Sequence, residues 1–134
     1  MQFSTKREIF EYVVTQLWRQ GEQAYDEMQD ACAYRWETDD GRVLKCAAGH
    51  LIEDDIYDPL MEGKDFGRLI KEVTKDLNHL KPFTNFITDL QNMHDSIEPR
   101  YGYSFRRALK SGALELAHEH NLSTDFIDKL EQEQ

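Results

Sequence analysis

The chain alternates between segments that have apolar residues at helical spacing and short polar stretches that separate them. Residues 9–18 carry apolar side chains on one helical face, and Thr5-x-x-Glu8 before them has the form of a capping box. Gly21 follows as a C-terminal stop signal. This pattern predicts a first helix between Thr5 and Gly21. Residues 22–31 are mostly polar and are predicted as a loop with at most one helical turn.

Three further long helices are predicted downstream, each with an apolar stripe and a polar residue placed to cap it. Asp65 can cap a helix that Pro82 ends. Thr84 opens the next helix, which ends before Pro99, and Ser104 caps the last of the long helices. Short helical turns are predicted at residues 46–54, at Asp58-Pro59 and after Thr124.

Residues 32–45 have the alternation of a β-hairpin, with Tyr34 and Trp36 on one face of the first strand. A two-residue loop would set Trp36 opposite a lysine. A three-residue loop that ends at Gly41 sets Trp36 opposite Leu44 and places apolar residues together. Gly41 then supplies the left-handed position that such a loop requires. The sequence therefore predicts the three-residue loop.

Together these elements predict a mainly α domain of the α+β class, in which four main helices and several short ones pack on one β-hairpin. The length of 134 residues fits a single domain, residues 1–134. The net charge of −10 disfavours binding to nucleic-acid phosphates, which requires a basic face. It favours a basic protein partner. No feature of the sequence indicates an oligomeric state.

The sequence shows no signal for export or membrane insertion. Its N-terminal segment has no apolar run of the signal-peptide type. No apolar stretch approaches the ~20 residues of a membrane span. Two cysteines in such a chain are expected to be reduced thiols. We therefore expect a cytoplasmic protein without membrane contact and without a cofactor.

Zinc is the metal that the cysteines and histidines could bind. Cys32, Cys46 and His50 would supply three ligands, with His94 as a fourth. Zinc sites more often use closely spaced cysteine pairs, and Cys32 and Cys46 are far apart. We therefore expect both cysteines to be mostly buried, reduced and free of metal, with zinc or redox chemistry as the alternatives. The acidic run of residues 53–65 lacks the ligand spacing of an EF-hand and is predicted as a metal-free loop.

A polar pocket is predicted where the hairpin meets the helix that carries His94. An imidazole beside carboxylates can work as a general base or as a ligand. The candidate residues are Tyr34, Arg35 and His50 from the hairpin region, together with His94 and Asp95 from the helix. The alternative is a polar cluster that only supports the fold.

Bases alternate with aromatic residues between Arg100 and Lys110, an arrangement that could stack on and neutralise a single nucleic-acid strand. Four bases are few beside a net charge of −10. An internal role for this segment against the acidic loop of residues 53–65 is therefore at least as well supported.

Two blocks of the sequence resemble a group of small uncharacterised proteins that bacteriophages and mobile gene cassettes of bacteria encode. The first block has Cys32-x-Tyr34-Arg35, a glycine-containing turn, Lys45-Cys46-Ala-Ala-Gly49-His50-Leu51-Ile52, Asp54, Tyr57 and Glu62-Gly63, and the second has Leu90-Gln91-x-x-His94-Asp95. The turn is longer here, and the segment before Cys32 is more polar. The resemblance covers about half of the chain and implies a genomic setting, without an activity, cofactor or partner.

Two functions from different classes follow. The favoured one is a non-catalytic accessory binding protein of a phage or mobile element, whose acidic surface docks a basic protein partner. The alternative is a small enzyme that uses the candidate pocket. Convergence of the candidate side chains on one concave surface would favour the enzyme, and their dispersal would favour the binding protein.

Overall fold

The computed structural model describes residues 2–98 and 102–133, which form a mainly α structure with two small antiparallel hairpins. The predicted α+β class is therefore confirmed. The helices are α1 (Lys6–Gln20), α2 (Phe66–Glu72), α3 (Thr74–Leu77), α4 (Thr84–Asp95), α5 (Gly102–His120) and α6 (Asp125–Gln132). The strands are β1 (Tyr25–Asp26), β2 (Ala31–Cys32), β3 (Arg35–Glu37) and β4 (Val43–Lys45), and 3-10 turns lie at Ala48–Leu51, Pro59–Met61 and Asn78–Phe83.

Helix α1 begins and ends where its sequence signals predict. The Glu8 backbone N–H donates to the Thr5 hydroxyl, and the Glu8 carboxylate accepts from the Thr5 backbone N–H, which completes the capping box. Gly21 adopts the left-handed conformation, with φ 77°, and its N–H donates to the Leu17 carbonyl. These bonds satisfy backbone groups that would otherwise lack partners at the two helix ends.

The hairpin of β3 and β4 has the predicted register. Trp36 pairs with Leu44, and the Thr38 N–H donates to the Arg42 carbonyl at 2.8 Å across the loop. Gly41 in this loop has φ 88°, a left-handed value that glycine adopts without strain. The three-residue loop predicted from the apolar pairing is confirmed.

The prediction of one hairpin over residues 32–45 is wrong in its extent. Cys32 pairs instead with Tyr25 in the ladder of β1 and β2, so a second hairpin begins in residues 22–31, which the sequence assigned to a loop. Strands of two residues are too short to show alternation, and this is why the pattern did not reveal them. Between the two hairpins the Tyr34 N–H donates to the carboxylate of Glu62, and so does the Arg35 N–H at the start of β3.

The helix predicted from Asp65 to Pro82 is divided. Asp65 caps α2 as predicted, because its side chain accepts from the Arg68 N–H at 2.8 Å. The backbone leaves the helical conformation at Val73, where φ is −118° and ψ is 43°. Helix α3 and the 3-10 turn that contains Pro82 follow this break. The apolar stripe is thus shared by three short elements.

The later helices match their predicted starts only in part. Helix α4 begins at Thr84 as predicted, whereas Pro99 lies outside the described residues. Helix α5 begins at Gly102, so Ser104 occupies its exposed first turn instead of capping it. Thr124 precedes α6, but its side chain makes no capping bond.

One cluster of buried side chains extends from Ile9 in α1 to Leu130 in α6. Phe10 lies near its centre, with its ring 6.4 Å from that of Phe86 in α4 and 5.5 Å from that of Phe126 in α6. Edge-to-face packing of this kind stabilises the junction of the three helices. Within residues 2–98 and 102–133, every helix is too short or too polar to cross a membrane.

Candidate functional site

A cleft of about 490 Å³ lies between the two hairpins and helix α4. We call it the hairpin cleft. Strand β2 and the first residues after it form one wall, the loop before α2 forms another, and the C-terminal half of α4 closes it. The side chains that define its chemistry are Cys32, Tyr34, Cys46, Glu62, Gln91 and Asp95.

The carboxylate of Glu62 holds the backbone together at the point where the two hairpins meet. Its Oε1 accepts from the Tyr34 N–H at 2.9 Å. Its Oε2 accepts from the Arg35 N–H at 3.1 Å and from the Tyr57 hydroxyl at 2.6 Å. Three donors therefore satisfy this half-buried carboxylate. For the Tyr34 and Arg35 N–H groups, the carboxylate takes the place of the acceptors that a continuous strand would have offered.

Tyr34 and Cys46 are buried in the cleft wall and keep their protons at neutral pH. The Tyr34 hydroxyl donates to the Lys64 carbonyl at 2.6 Å. Burial, together with the negative charge nearby, raises the pKa of the Tyr34 hydroxyl, and burial also raises the pKa of the Cys46 thiol. Because the thiolate is the reactive form of cysteine, Cys46 is an inert thiol and Tyr34 is a fixed structural donor.

The turn after Cys46 packs directly against the backbone of Tyr34. A Cβ atom at Gly49 would lie 2.2 Å from the Tyr34 carbonyl oxygen and 3.1 Å from its carbonyl carbon. Only glycine permits this approach of two backbones. The glycine of the Cys46-Ala-Ala-Gly49 run therefore fixes how the hairpin sits on the following 3-10 turn.

His94 and Asp95 lie at the α4 end of the cleft. The His94 ring is fully buried, and its Nδ1 is 3.0 Å from Asp95 Oδ1. Gln91 donates to the same Asp95 oxygen at 2.8 Å and accepts from the Ala48 N–H at 2.9 Å. The Cys32 thiol, a ring nitrogen of His94 and an Asp95 carboxylate oxygen lie within 4.8 Å of one another.

Arg35 and His50 lie outside the cleft. The Arg35 guanidinium donates to Asp54 at 2.5 Å, and its Cζ lies 4.5 Å from the centre of the Tyr57 ring. His50 borders a separate surface depression that Lys45 also lines. Burial first, and then the positive charge of Lys45, lowers the pKa of the His50 imidazole to about 3. His50 is therefore neutral at physiological pH.

The five residues predicted as a pocket are thus divided. Tyr34 and Asp95 line the hairpin cleft, and His94 contacts Asp95. Arg35 and His50 contact other parts of the surface.

The residues weighed as zinc ligands are divided as well. Cys32 and His94 form a group with Asp95, whereas Cys46 and His50 do not belong to that group.

Sequence reasoning did not identify Glu62 and Gln91 as site residues. Glu62 bonds to a backbone group 28 positions earlier, and Gln91 bonds to one 43 positions earlier. No local pattern encodes such distant side-chain-to-backbone bonds. The available signal was that both residues belong to the two sequence blocks from which the resemblance is predicted.

A second concave surface lies between α4 and α5 and has a volume of about 440 Å³. We call it the α4–α5 groove. Its floor is formed by the apolar residues Met93, Ile97, Ala108 and Leu116, and its sides carry the carboxylates of Asp89, Glu98, Glu115 and Glu119. None of the described residues that line this groove is a lysine or an arginine.

Two carboxylates of the groove, Glu115 and Glu119, have no ion-pair partner among the described residues. Asp89 lies 3.1 Å from His120 Nε2. Glu115 and Glu119 are exposed, lie one turn apart on α5, and form no ion pair with any residue in 2–98 or 102–133. Like charges at this spacing repel each other, and carboxylates that form no ion pair keep their charge available to a partner.

Two described residues of the basic segment between Arg100 and Lys110 bind other helices of the same chain. Arg106 donates to the Trp18 carbonyl at 2.8 Å, and Lys110 pairs with Glu131 at 2.7 Å. The partners are therefore α1 and α6, and the expectation of contact with the acidic loop is wrong for these two residues. Arg100 lies outside the described residues.

No protein-family model, curated protein or solved structure matches this chain. The resemblance of its two sequence blocks therefore stays a prediction.

Proposed function

We propose that this chain is a non-catalytic accessory binding protein of a phage or mobile element, acts in the cytoplasm, and docks a basic segment of a protein partner. The observation that carries the proposal is the α4–α5 groove, which combines an apolar floor with carboxylates along its sides. An apolar floor beneath a ring of one charge fits an amphipathic segment of the opposite charge.

Electrostatics supports a basic occupant. Lysine or arginine side chains beside Glu115 and Glu119 would relieve their mutual repulsion and gain a partner at the same time. Exposed ion pairs contribute little affinity each, but several of them steer association and set its dependence on salt. The net charge of −10 acts in the same direction over longer distances.

The groove floor supports an occupant with apolar side chains as well. Met93 is half-buried and flexible, so it can adjust to different partner residues. Ile97 and Leu116 are 5% and 6% exposed, so the half-buried Met93 and Ala108 offer most of the apolar surface that a partner can reach. A helix or an extended segment that lies along the groove could cover this surface.

A designed peptide tests the proposal. The probe is a helical peptide with leucines on one face and lysines on the other, and its binding is followed by fluorescence anisotropy and by the amide chemical shifts of the protein. We expect binding that weakens as salt is raised. The shifts should concentrate in residues 89–98 and 108–119, which line the groove.

Charge reversal separates the groove from the overall charge. The double variant Glu115→Lys/Glu119→Lys should lose most of the binding. The matched control Glu37→Lys/Asp39→Lys changes the net charge by the same amount on the exposed β3–β4 hairpin and should keep most of it. Equal loss in both variants, or shifts confined to another surface, would contradict the proposal.

A further inference from the structure

We propose that Cys32, His94 and Asp95 form a zinc-binding site at the α4 end of the hairpin cleft. The three side chains come from two distant parts of the sequence, the end of β2 and the end of α4. Their donor atoms already lie within 4.8 Å of one another. The proposal adds a metal site to the chain and is independent of the α4–α5 groove.

The spacing of the donor atoms is close to what zinc requires. Ligands of a tetrahedral zinc ion sit about 2.0–2.3 Å from the metal, which places them roughly 3.3–3.7 Å from each other. The His94 and Asp95 atoms are 3.0 Å apart, so they need only a small separation to admit the ion. The Cys32 side chain is half-buried and that of Asp95 is 42% exposed, so both can rotate into place.

The donor set selects the metal. A thiolate, an imidazole and a carboxylate together suit zinc better than calcium or magnesium, which prefer oxygen alone. Three protein ligands leave the fourth tetrahedral position open. Cys32 and Asp95 both line the hairpin cleft, so that open position would face its space of about 490 Å³.

His94 provides a second, independent observation. Its ring is fully buried, yet its Nε2 has no hydrogen-bond partner among the described residues. Gln23 donates to the His94 carbonyl at 2.7 Å, and the other amide atom of Gln23, Oε1, is also buried without a partner. A histidine that binds metal through one nitrogen commonly donates its other N–H to a nearby oxygen. Zinc bound at Nδ1 would leave Nε2 as the N–H donor, and Gln23, which bonds to the His94 backbone, carries a buried acceptor that has no partner of its own.

Gln91 would act as a positioning residue for the carboxylate. It donates to Asp95 Oδ1 at 2.8 Å, and its own oxygen is fixed by the Ala48 N–H. Hydrogen bonds of this kind orient metal ligands, and their removal typically lowers metal affinity about 10–100-fold. The Gln91 side chain thus connects the proposed ligand set to the turn that follows Cys46.

Metal titration of the whole chain tests the proposal. The protein is stripped with a chelator, kept reduced with a phosphine, and titrated with Zn²⁺ against a chromophoric competitor and separately with Co²⁺. We expect one zinc per chain and a thiolate-to-cobalt charge-transfer band in the near ultraviolet. Cys32→Ser should abolish the band, whereas Cys46→Ala should retain it.

Two further variants keep the test independent of folding. Asp95→Asn replaces an exposed carboxylate and should weaken zinc binding at least tenfold, and Gln91→Leu should weaken it about 10–100-fold. Circular dichroism confirms that each variant is folded. Absence of saturable zinc binding at millimolar metal would overturn the proposal, as would binding that neither Cys32→Ser nor Asp95→Asn changes.

Discussion

The hairpin cleft and the α4–α5 groove are both lined by carboxylates, but these carboxylates differ in whether the rest of the chain supplies them with partners. In the cleft, Glu62 accepts from two backbone N–H groups and a tyrosine hydroxyl. In the groove, Glu115 and Glu119 have no cationic partner among the described residues. One acid therefore supports the fold, and the others leave their charge directed at solvent.

The difference shows how one residue type serves two purposes in a strongly acidic chain. A carboxylate with internal donors contributes to stability, because its removal leaves those donors unsatisfied. A carboxylate without them contributes little to stability and is free to select a partner. Substitutions should therefore affect stability at the cleft and binding at the groove.

The largest effect is expected at Gly49, which frames the cleft. Gly49→Ala would force a Cβ against the Tyr34 carbonyl, and we expect a loss of about 3 kcal/mol or more in the free energy of unfolding. Chemical denaturation measures it. Gly67→Ala in α2 is the matched control, because its Cβ meets only Asp65 Oδ1 at 3.4 Å. That variant should be stabilised by about 0.5–1 kcal/mol. Equal changes in the free energy of unfolding for the two variants would contradict the close backbone approach at Gly49.

The next effect separates the two kinds of carboxylate. Glu62→Ala leaves the N–H groups of Tyr34 and Arg35 without their acceptor, and we expect a loss of about 3 kcal/mol in unfolding free energy. Glu115→Ala on the groove should change it by less than about 0.5 kcal/mol. Urea titration of both variants measures the two free energies of unfolding. A similar loss in each would contradict the different roles given to the carboxylates of the cleft and of the groove.

A pH dependence is expected from His50. Its pKa is about 3 in the folded chain and about 6.5 when unfolded, so the unfolded state binds the proton first. The effect of His50 on the free energy of unfolding is therefore constant above about pH 6.5. As pH falls from 6.5 toward 3, protonation of His50 in the unfolded state lowers that free energy. We expect a loss of roughly 2 kcal/mol between pH 7.5 and pH 5 that His50→Gln removes. A pH profile that His50→Gln leaves unchanged would contradict this assignment.

The smallest change in stability is expected at Glu119 in the α4–α5 groove. Glu119→Lys removes a like-charge pair with Glu115 and places a cation near the C-terminus of α5. We expect about 0.5 kcal/mol of added stability. The same variant should bind the lysine-rich peptide more weakly than the wild type. A variant that is both less stable and unchanged in binding would contradict the role given to the groove.

Local signals in the sequence predicted the elements that depend on neighbouring residues. The capping box at Thr5 and Glu8, the stop at Gly21 and the hairpin loop at Gly41 all follow from interactions within a few positions. The register of Trp36 with Leu44 followed from apolar pairing alone. The residues that determine these parts of the fold lie within or next to the elements themselves.

The candidate site depends on contacts that local pattern does not encode. Glu62 binds the Tyr34 N–H from 28 positions away, at the point where the predicted hairpin stops short of Cys32. Cys32 comes close to Asp95 because β2 pairs with β1 rather than with β4. The group of residues proposed to bind zinc therefore became visible only in the folded chain.

The junction of α1 with α6 has a consequence for how the chain is made. Arg19 of α1 pairs with Glu133 at 3.0 Å, and these residues are 114 positions apart. At a synthesis rate of about 5–20 residues per second, the ribosome needs roughly 6–23 s to add the second after the first. Phe10 on α1 stays without the Phe126 ring for much of that interval. The core therefore closes after translation has passed α6, and a nascent chain arrested before that point exposes an apolar helix face to chaperones.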